Sequence, residues 1–292
     1  QNLFVDMTAD FIRGGDQLLP KKYGAIHHLS INAIRFMNIG LWESVVFHRN
    51  DGYELNYLNP IIFYRSVEQL LGSPDNTMLG MDARINFLRH FAVYGQLMID
   101  DFNIQASKGK QGYWANKYGF QLGAKYIDAF SLSNLDLQAE WNCVRPYAYT
   151  HNDTVANYSN YNQPLAHPMG ANLNEWIGTI RYQPVFPLTI QWSITAAASG
   201  RDTSGSNWGS DIFIPTTENT IESTFNNTVG QGVGNNLFLS ELSASWMIRH
   251  NIIIDVMFVY RKTRSDEIVF SSSTNIFQVG VRMNASLRRF QF

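Results

Sequence analysis

The sequence predicts an all-β fold, an antiparallel transmembrane β-barrel of the outer-membrane kind with about twelve strands. Three observations carry that expectation. Segments of about ten residues sort by parity into an apolar and a polar face, which is the period of a strand and the length a tilted strand needs to cross a bilayer. The links between these segments alternate between short and long, as periplasmic turns and extracellular loops do. No stretch approaches about eighteen uninterrupted apolar residues, and in hydrocarbon every backbone donor and acceptor must be paired internally, so a closed barrel is the spanning structure left. A soluble sandwich alternates too, but its strands run to about five or six residues.

In chain order, residues 3–11 alternate with Asp6 and Asp10 on the polar side. In the second segment Leu29, Ile31 and Ala33 claim the lipid face and leave His28, Ser30 and Asn32 to the lumen. Residues 39–49 are irregular: Trp42 and Val46 share one face, while Leu41, Val45 and Phe47 share the other with Glu43. A carboxylate facing hydrocarbon is costly, so Glu43 is expected in the lumen. Over 77–88, Leu79, Met81, Ala83, Ile85 and Phe87 oppose Gly80, Asp82, Arg84 and Asn86. Residues 118–128 behave alike, and over 135–143 Leu137, Ala139, Trp141 and Cys143 oppose Asp136, Gln138, Glu140 and Asn142. Residues 188–200 set Ile190, Trp192, Ile194 and Ala196 against Gln191, Ser193 and Thr195, and 238–249 and 251–262 repeat the pattern. Finally, over 275–292, Phe277, Val279, Val281, Met283 and Leu287 face Gln278, Arg282, Asn284 and Arg288, and the chain stops on an aromatic.

Short links are expected at 36–38, 89–90, 131–134, 183–187 and 249–251, and long ones at 12–22, 50–76, 103–112, 150–171, 201–235 and 263–274. With the last strand ending on the periplasmic side, every long link falls outside the cell. Residues 1–292 read as a single barrel domain in the bacterial outer membrane. The sequence carries no signal peptide and starts inside its first strand, which favours the C-terminal part of a larger barrel, with strands missing at the N-terminus.

Charged residues make up 16% of the chain and aromatics 14%, with 22 basic against 24 acidic residues. That balance gives no reason to expect a nucleic-acid partner. The one cysteine, Cys143, excludes an internal disulfide framework and reads as a small apolar residue on the lipid face. The seven histidines show no metal-ligand spacing, so neither metal nor cofactor is expected. The lumen collects Asp6, Asp10, Asp82, Arg84, Asp100, Lys125, Asp136, Glu140, Glu175, Arg181, Glu241, Asp255, Arg261, Arg282 and Arg288. Interleaved signs suit a polar conduit, a glycan-binding interior, or a wall braced by ion pairs.

His28 and Ser30 lie two apart on one strand face, a step that resembles the catalytic pairing of the outer-membrane phospholipases. There the pair faces lipid, whereas here it falls in the lumen and no orienting third residue is evident, so an enzyme is the least favoured reading. The loops are more distinctive. Residues 57–76 run from Asn59-Pro60 through helix-forming residues to Gly72-Ser73-Pro74, a short capped helix expected in the barrel mouth or against other loops. The loops concentrate aromatic and polar groups at Tyr57, Tyr64, Arg65, Tyr147, Tyr149, Tyr158, Tyr161, His167 and Trp208. Flat rings suit stacking on sugars, with amides holding hydroxyls, and suit equally an ordered loop that satisfies its own backbone.

Several blocks together resemble one family: His27-His28-Leu29-Ser30, Tyr57-Leu58-Asn59-Pro60 with Phe63-Tyr64-Arg65, Gly72-Ser73-Pro74-Asp75-Asn76, Tyr94-Gly95-Gln96 with Asp100-Asp101-Phe102, Arg145-Pro146-Tyr147, and 165–172. They are similar to the Bacteroidota relatives of the capsule-assembly protein Wzi, often labelled gliding motility protein RemB. The resemblance spans nearly the whole chain, and members are usually longer at the N-terminus. It implies an outer-membrane barrel that holds capsular polysaccharide or takes part in surface motility, with no catalysis. The expected partners are outer-membrane lipid, surface polysaccharide, and other outer-membrane proteins or lipoproteins. The alternative is a structural subunit of a larger outer-membrane assembly.

Overall fold

The computed structural model describes residues 1–9, 21–49, 54–58, 75–103, 108 and 111–283. Its strands are β1 (Asn2–Thr8), β2 (Lys21–Ile34), β3 (Met37–Phe47), β4 (Asn76–Phe87), β5 (Phe91–Asp101), β6 (Lys117–Tyr126) and β7 (Leu135–Val144). They continue with β8 (Ser159–Asn160), β9 (Gln163–Pro164), β10 (Leu173–Val185), β11 (Leu188–Arg201), β12 (Val233–Arg249), β13 (Ile252–Ser265) and β14 (Ser272–Met283). All but the β8–β9 hairpin form one twelve-stranded sheet in chain order. Every neighbouring pair is antiparallel. This is the wall of an outer-membrane β-barrel, in which sequence neighbours pair throughout and each backbone ladder is closed by the next strand. Among the described residues, β1 and β14 each have one strand neighbour.

The links alternate as expected. Residues 35–36, 88–90, 127–134, 186–187 and 250–251 turn at one end, and the strand ends flanking 9–20, 48–75, 102–116, 145–172 and 202–232 lie at the other. The link expected over 263–274 is shorter than predicted: β13 and β14 stay paired up to Thr263 and Ser272, leaving only 266–271. Polar residues at the strand ends continue the ladder above the apolar band, where hydrophobic alternation has nothing to report.

The outer face is apolar. Leu41 (59% exposed), Met81, Trp176, Leu242, Phe258, Phe277 and Val281 lie on it. At the short-turn end Phe87, Phe91, Tyr126 and Phe130 form a ladder of rings with centroids 5.4, 4.3 and 5.6 Å apart. Near the opposite end Trp141 stacks on Trp176 at 5.5 Å. Aromatic girdles of this kind mark the two interfaces of a transmembrane barrel. Cys143 shares the outer parity and is buried.

Two placements differ from the sequence reading. Glu43 sits on the outer parity, directly opposite His27 and Leu79, and its carboxylate lies 3.6 Å from His27 Nδ1. Both residues are buried, so the carboxylate is sheltered by protein, and the premise that it would face hydrocarbon does not apply. Asp6 is also outside, opposite Tyr23 and bonded at 2.9 Å to Lys21. The apolar Leu3, Val5 and Met7 therefore point inward, and Val5 and Met7 pack over Gly24 of β2. The other lumen assignments between Asp82 and Arg282 share the inner parity; Asp10 and Arg288 lie outside the described residues.

In a Cys143→Ser background, cysteines at Leu242, Trp246, Val279 and Val281 should react with a lipid-soluble maleimide, and those at Ser243, Ser245 and Gln278 with a water-soluble one. Uniform labelling along either strand would contradict the assignment.

Candidate functional site

The pairing register sorts the inner wall into cross-strand rows. The upper row runs Trp42, Gly80, Met98, Gly119, Val144 and Leu173. Below it run Asp82, Gln96, Gln121, Asn142 and Glu175, and below that Arg84, Tyr94, Gly123, Glu140 and Ile177. Thus an apolar row sits above a row made wholly of amides and carboxylates. Glycine makes room where rings lie flat on the wall. A Cβ at Gly80 would fall 2.1 Å from the Trp42 indole, and one at Gly123 would fall 2.3 Å from the Tyr94 ring.

The upper row holds loop residues inside the barrel. Met78, Met98, Val144 and Leu173 from the wall pack with Ala148, Tyr149, Ala171 and Ile212, and Trp42, Tyr158, Met169 and Phe213 join them. Burying this apolar surface ties the 145–172 and 202–232 loops to several strands at once. Polar anchors complete the attachment. Lys22 Nζ donates to Asn157 O and Oδ1 at 2.8 and 2.9 Å, and Asn76 Nδ2 donates to Ala156 O at 2.9 Å. Tyr149 N–H donates to Asp100 Oδ2 at 2.8 Å, and Lys117 Nζ donates to Thr150 O at 3.0 Å. Because these partners come from β2, β4, β5 and β6, the 145–172 loop crosses the lumen.

The two loops also hold each other. Tyr147 N–H donates to Gly209 O at 2.9 Å, and its hydroxyl donates to Asn207 O at 2.8 Å. Gly209 has φ +80°, and a Cβ there would lie 2.4 Å from Tyr147 N. Asp202 accepts from the Ser210 and Asp211 backbone N–H groups at 3.1 and 2.6 Å and also from Trp208. Burial raises the Asp202 pKa, and those backbone donors oppose the rise. Burial likewise pushes the Tyr147 phenol up to about 12.

Beneath the loops lies a cavity of about 380 Å³ lined by Gln96, Met98, Gln121, Glu140, Asn142, Val144, Tyr149, Ala166, His167, Pro168, Glu175 and Ile177 among others. Its polar groups are wired together. Met169 N–H donates to His167 Nδ1 at 3.2 Å, which leaves Nε2 to carry the proton and donate to Glu175 Oε2 at 3.0 Å. Asn142 Nδ2 reaches Glu175 Oε2 at 2.8 Å and Glu140 Oε1 at 3.2 Å. Glu140 also accepts from Gln121 at 2.8 Å and from the Tyr94 hydroxyl at 2.7 Å, which in turn accepts from Gln138 at 2.8 Å.

The candidate ligand residues are dispersed. Tyr147 is 0% exposed and Tyr149 5%, both inside the loop core. Tyr57, also 0% exposed, packs on Phe47 with centroids 4.8 Å apart and on Ala25 and Val45, on the outer face and outside the mouth. The described start of this link was expected in the mouth or against other loops; outer-face residues Tyr23 and Phe47 instead offer it an aromatic seat. Tyr161 is 53% exposed, His167 and Trp208 are half-buried, and of the candidates described Tyr149 and His167 line the cavity. Tyr64 and Arg65 lie outside the described residues, as does the helix expected after Asn59. His28 and Ser30 do face the lumen, but His28 bonds Asp82 at 2.8 Å while Ser30 exchanges bonds with Asn38 at 3.1 and 3.0 Å. Tyr94 and Gln96 entered the sequence reading only as a family-like block and Asn142 only as a polar-face residue, and Gln121 not at all, although their register follows from the turns at 88–90 and 127–134.

The fold and this interior define an outer-membrane β-barrel whose long-loop mouth is filled by its own loops. No protein-family model matches the chain, and no curated protein matches its sequence. Among solved structures it is similar to Wzi of Escherichia coli, described as an outer-membrane protein involved in group 1 capsule assembly and a carbohydrate-binding β-barrel. The TM-score is 0.56 at 14% identity, over 91% of this chain and 52% of that one, so the chain spans about half of Wzi. The outer-membrane channel DcaP of Acinetobacter baumannii follows at TM-score 0.42 and 9% identity, covering 96% of this chain and 70% of that one. The KdgM porin gives 0.30 and 9%, covering 98% of each.

Replacing Gly123 with Val should displace Tyr94 and its bonds to Glu140 and Gln138, costing about 1–3 kcal/mol in urea unfolding. Gly178→Val, where an added Cβ meets nothing within 4 Å, should change little. Equal effects would contradict the packing described.

His151 titrates below its ordinary range because burial and then Lys117 disfavour its charged form. Its Nδ1 accepts from Asp153 N–H at 3.2 Å. A depressed pKa means that its contribution is full above the unfolded value of about 6.5 and is lost as pH falls through the folded value. Protection factors over 150–156, corrected for the intrinsic pH dependence of amide exchange, should therefore fall between pH 7 and 5, and His151→Gln should flatten that dependence.

Proposed function

We propose that this chain is a non-enzymatic outer-membrane β-barrel that holds surface polysaccharide at the cell surface. One observation carries the reading: the 145–172 and 202–232 loops pack into the mouth through Tyr147, Tyr149, Tyr158 and Ile212 and leave a cavity walled by amides and carboxylates beneath them. A diffusion pore needs an open lumen, whereas a binding protein needs an ordered, preorganised surface. Amide and carboxylate rows suit hydroxyl-rich ligands, since each sugar hydroxyl both donates and accepts. The carbohydrate binding ascribed to Wzi and the family resemblance of the sequence blocks point the same way. The motility arm of that resemblance has no such observation behind it.

Gly209→Val should prise the two loops apart, and shortening 202–232 should remove their contact altogether. With barrel assembly confirmed by heat-modifiable migration, both variants should lower the polysaccharide retained on cells while co-purifying proteins stay the same. Unchanged polysaccharide with lost protein partners would replace this reading by that of an assembly subunit. The unaltered protein should show no porin-like conductance in planar bilayers.

A further inference from the structure

The cavity beneath the 145–172 loop is lined by a largely buried carboxylate, one oxygen of which the protein leaves unused. The Glu175 side chain is 10% exposed. Its Oε2 takes both available donors, His167 Nε2 and Asn142 Nδ2. Among the described residues no donor reaches Oε1, and this atom keeps some accessible surface. A carboxylate so enclosed strongly favours a hydrogen-bonded partner, and the space beside this one is the cavity. On the same row Gln96, an exposed residue at the cavity's edge, carries an amide with no hydrogen-bond partner among the described residues. Met98, Val144, Pro168 and Ile177 add apolar surface to the walls.

We propose that this cavity is a binding subsite for one non-acidic sugar unit of a glycan, with Glu175 Oε1 accepting from its hydroxyls and Gln96 bonding a neighbouring hydroxyl. The proposal rests on the polysaccharide reading above and names the chemistry of its ligand. A volume of about 380 Å³ is at the lower end of ligand pockets. The apolar walls match the C–H faces of a pyranose, and the carboxylate and amide match its rim. Charge sets the class. Two carboxylates, Glu140 and Glu175, line the cavity and no lysine or arginine does. His167 is neutral in the tautomer its bonds require. The nearby Lys125 lies against the Tyr94 ring, 5.7 Å from its centroid. A uronic acid would meet two like charges here, and such juxtaposition disfavours the wrong partner.

The test uses the full chain in detergent and oligosaccharides from partial depolymerisation of the host cell's own surface polysaccharide, separated by anion exchange into neutral and acidic fractions. Calorimetry should find binding of the neutral fraction, weakened about 10- to 100-fold by Glu175→Gln, as loss of a hydrogen bond to a charged group predicts. Ile177→Trp, which fills the cavity and leaves every charge in place, should abolish binding, and Gly178→Val on the outer face should not affect it. Equal binding of the acidic fraction, or neutral binding that survives both cavity variants, would overturn the subsite and leave the polysaccharide reading standing. No binding of either fraction by the unaltered protein would overturn both. Heat from calcium chloride that Glu175→Gln removes, without sugar binding, would make the cavity a cation site and overturn the proposal.

Discussion

Backbone pairing is the constraint on which the rest of this structure depends. A peptide group in hydrocarbon has no water to bond, so each strand must find its partners in its neighbours. The cheapest arrangement is the one seen, with consecutive strands paired in antiparallel order and joined by tight turns at one end. That pairing then fixes the register, and the register decides which side chains meet inside. Asp82, Gln96, Gln121, Asn142 and Glu175 come from five strands, and they form one row because each pairing sets the next.

The lumen is layered for the same reason. Shifting along each strand by two residues moves from the apolar row to the polar row, with no change of face. The apolar row gives the loops something to bury, and Tyr149 and Ile212 occupy it. The polar row then lies below a loop segment of Ala166, His167 and Pro168, with Asn142 and Glu175 buried beneath it. His167 belongs to both levels, because Met169 N–H fixes its ring from the loop side while its Nε2 proton goes to Glu175 on the wall.

Strands and turns were legible in the sequence because parity and link length report them directly. Both misplaced residues lie in the region where β1, β2 and β3 meet the described start of the 48–75 link. Glu43 and Asp6 occupy the outer face there: Glu43 is covered by protein beside His27, so an outward side chain need not meet lipid, whereas Asp6 stays exposed and is paired with Lys21. Tyr57, Tyr147 and Tyr149 were legible as aromatic loop residues, but composition does not say whether a ring stacks on a ligand or on the protein. Their burial follows from long-range contacts such as Tyr147 with Asn207. Glu140 and Glu175 were placed in the lumen from parity alone, whereas their joining through Asn142 needed the register.

The central claim is that the 145–172 loop lies across the inside of the barrel. Cysteines at Asn76 on the wall and Ala156 in the loop, in a Cys143→Ser background, place two thiols where Asn76 Nδ2 now donates to Ala156 O at 2.9 Å. A short bis-maleimide added to intact outer membranes should join them efficiently and leave a band of altered mobility after denaturation. Cysteines that each react singly but do not cross-link would put the loop elsewhere and contradict the account.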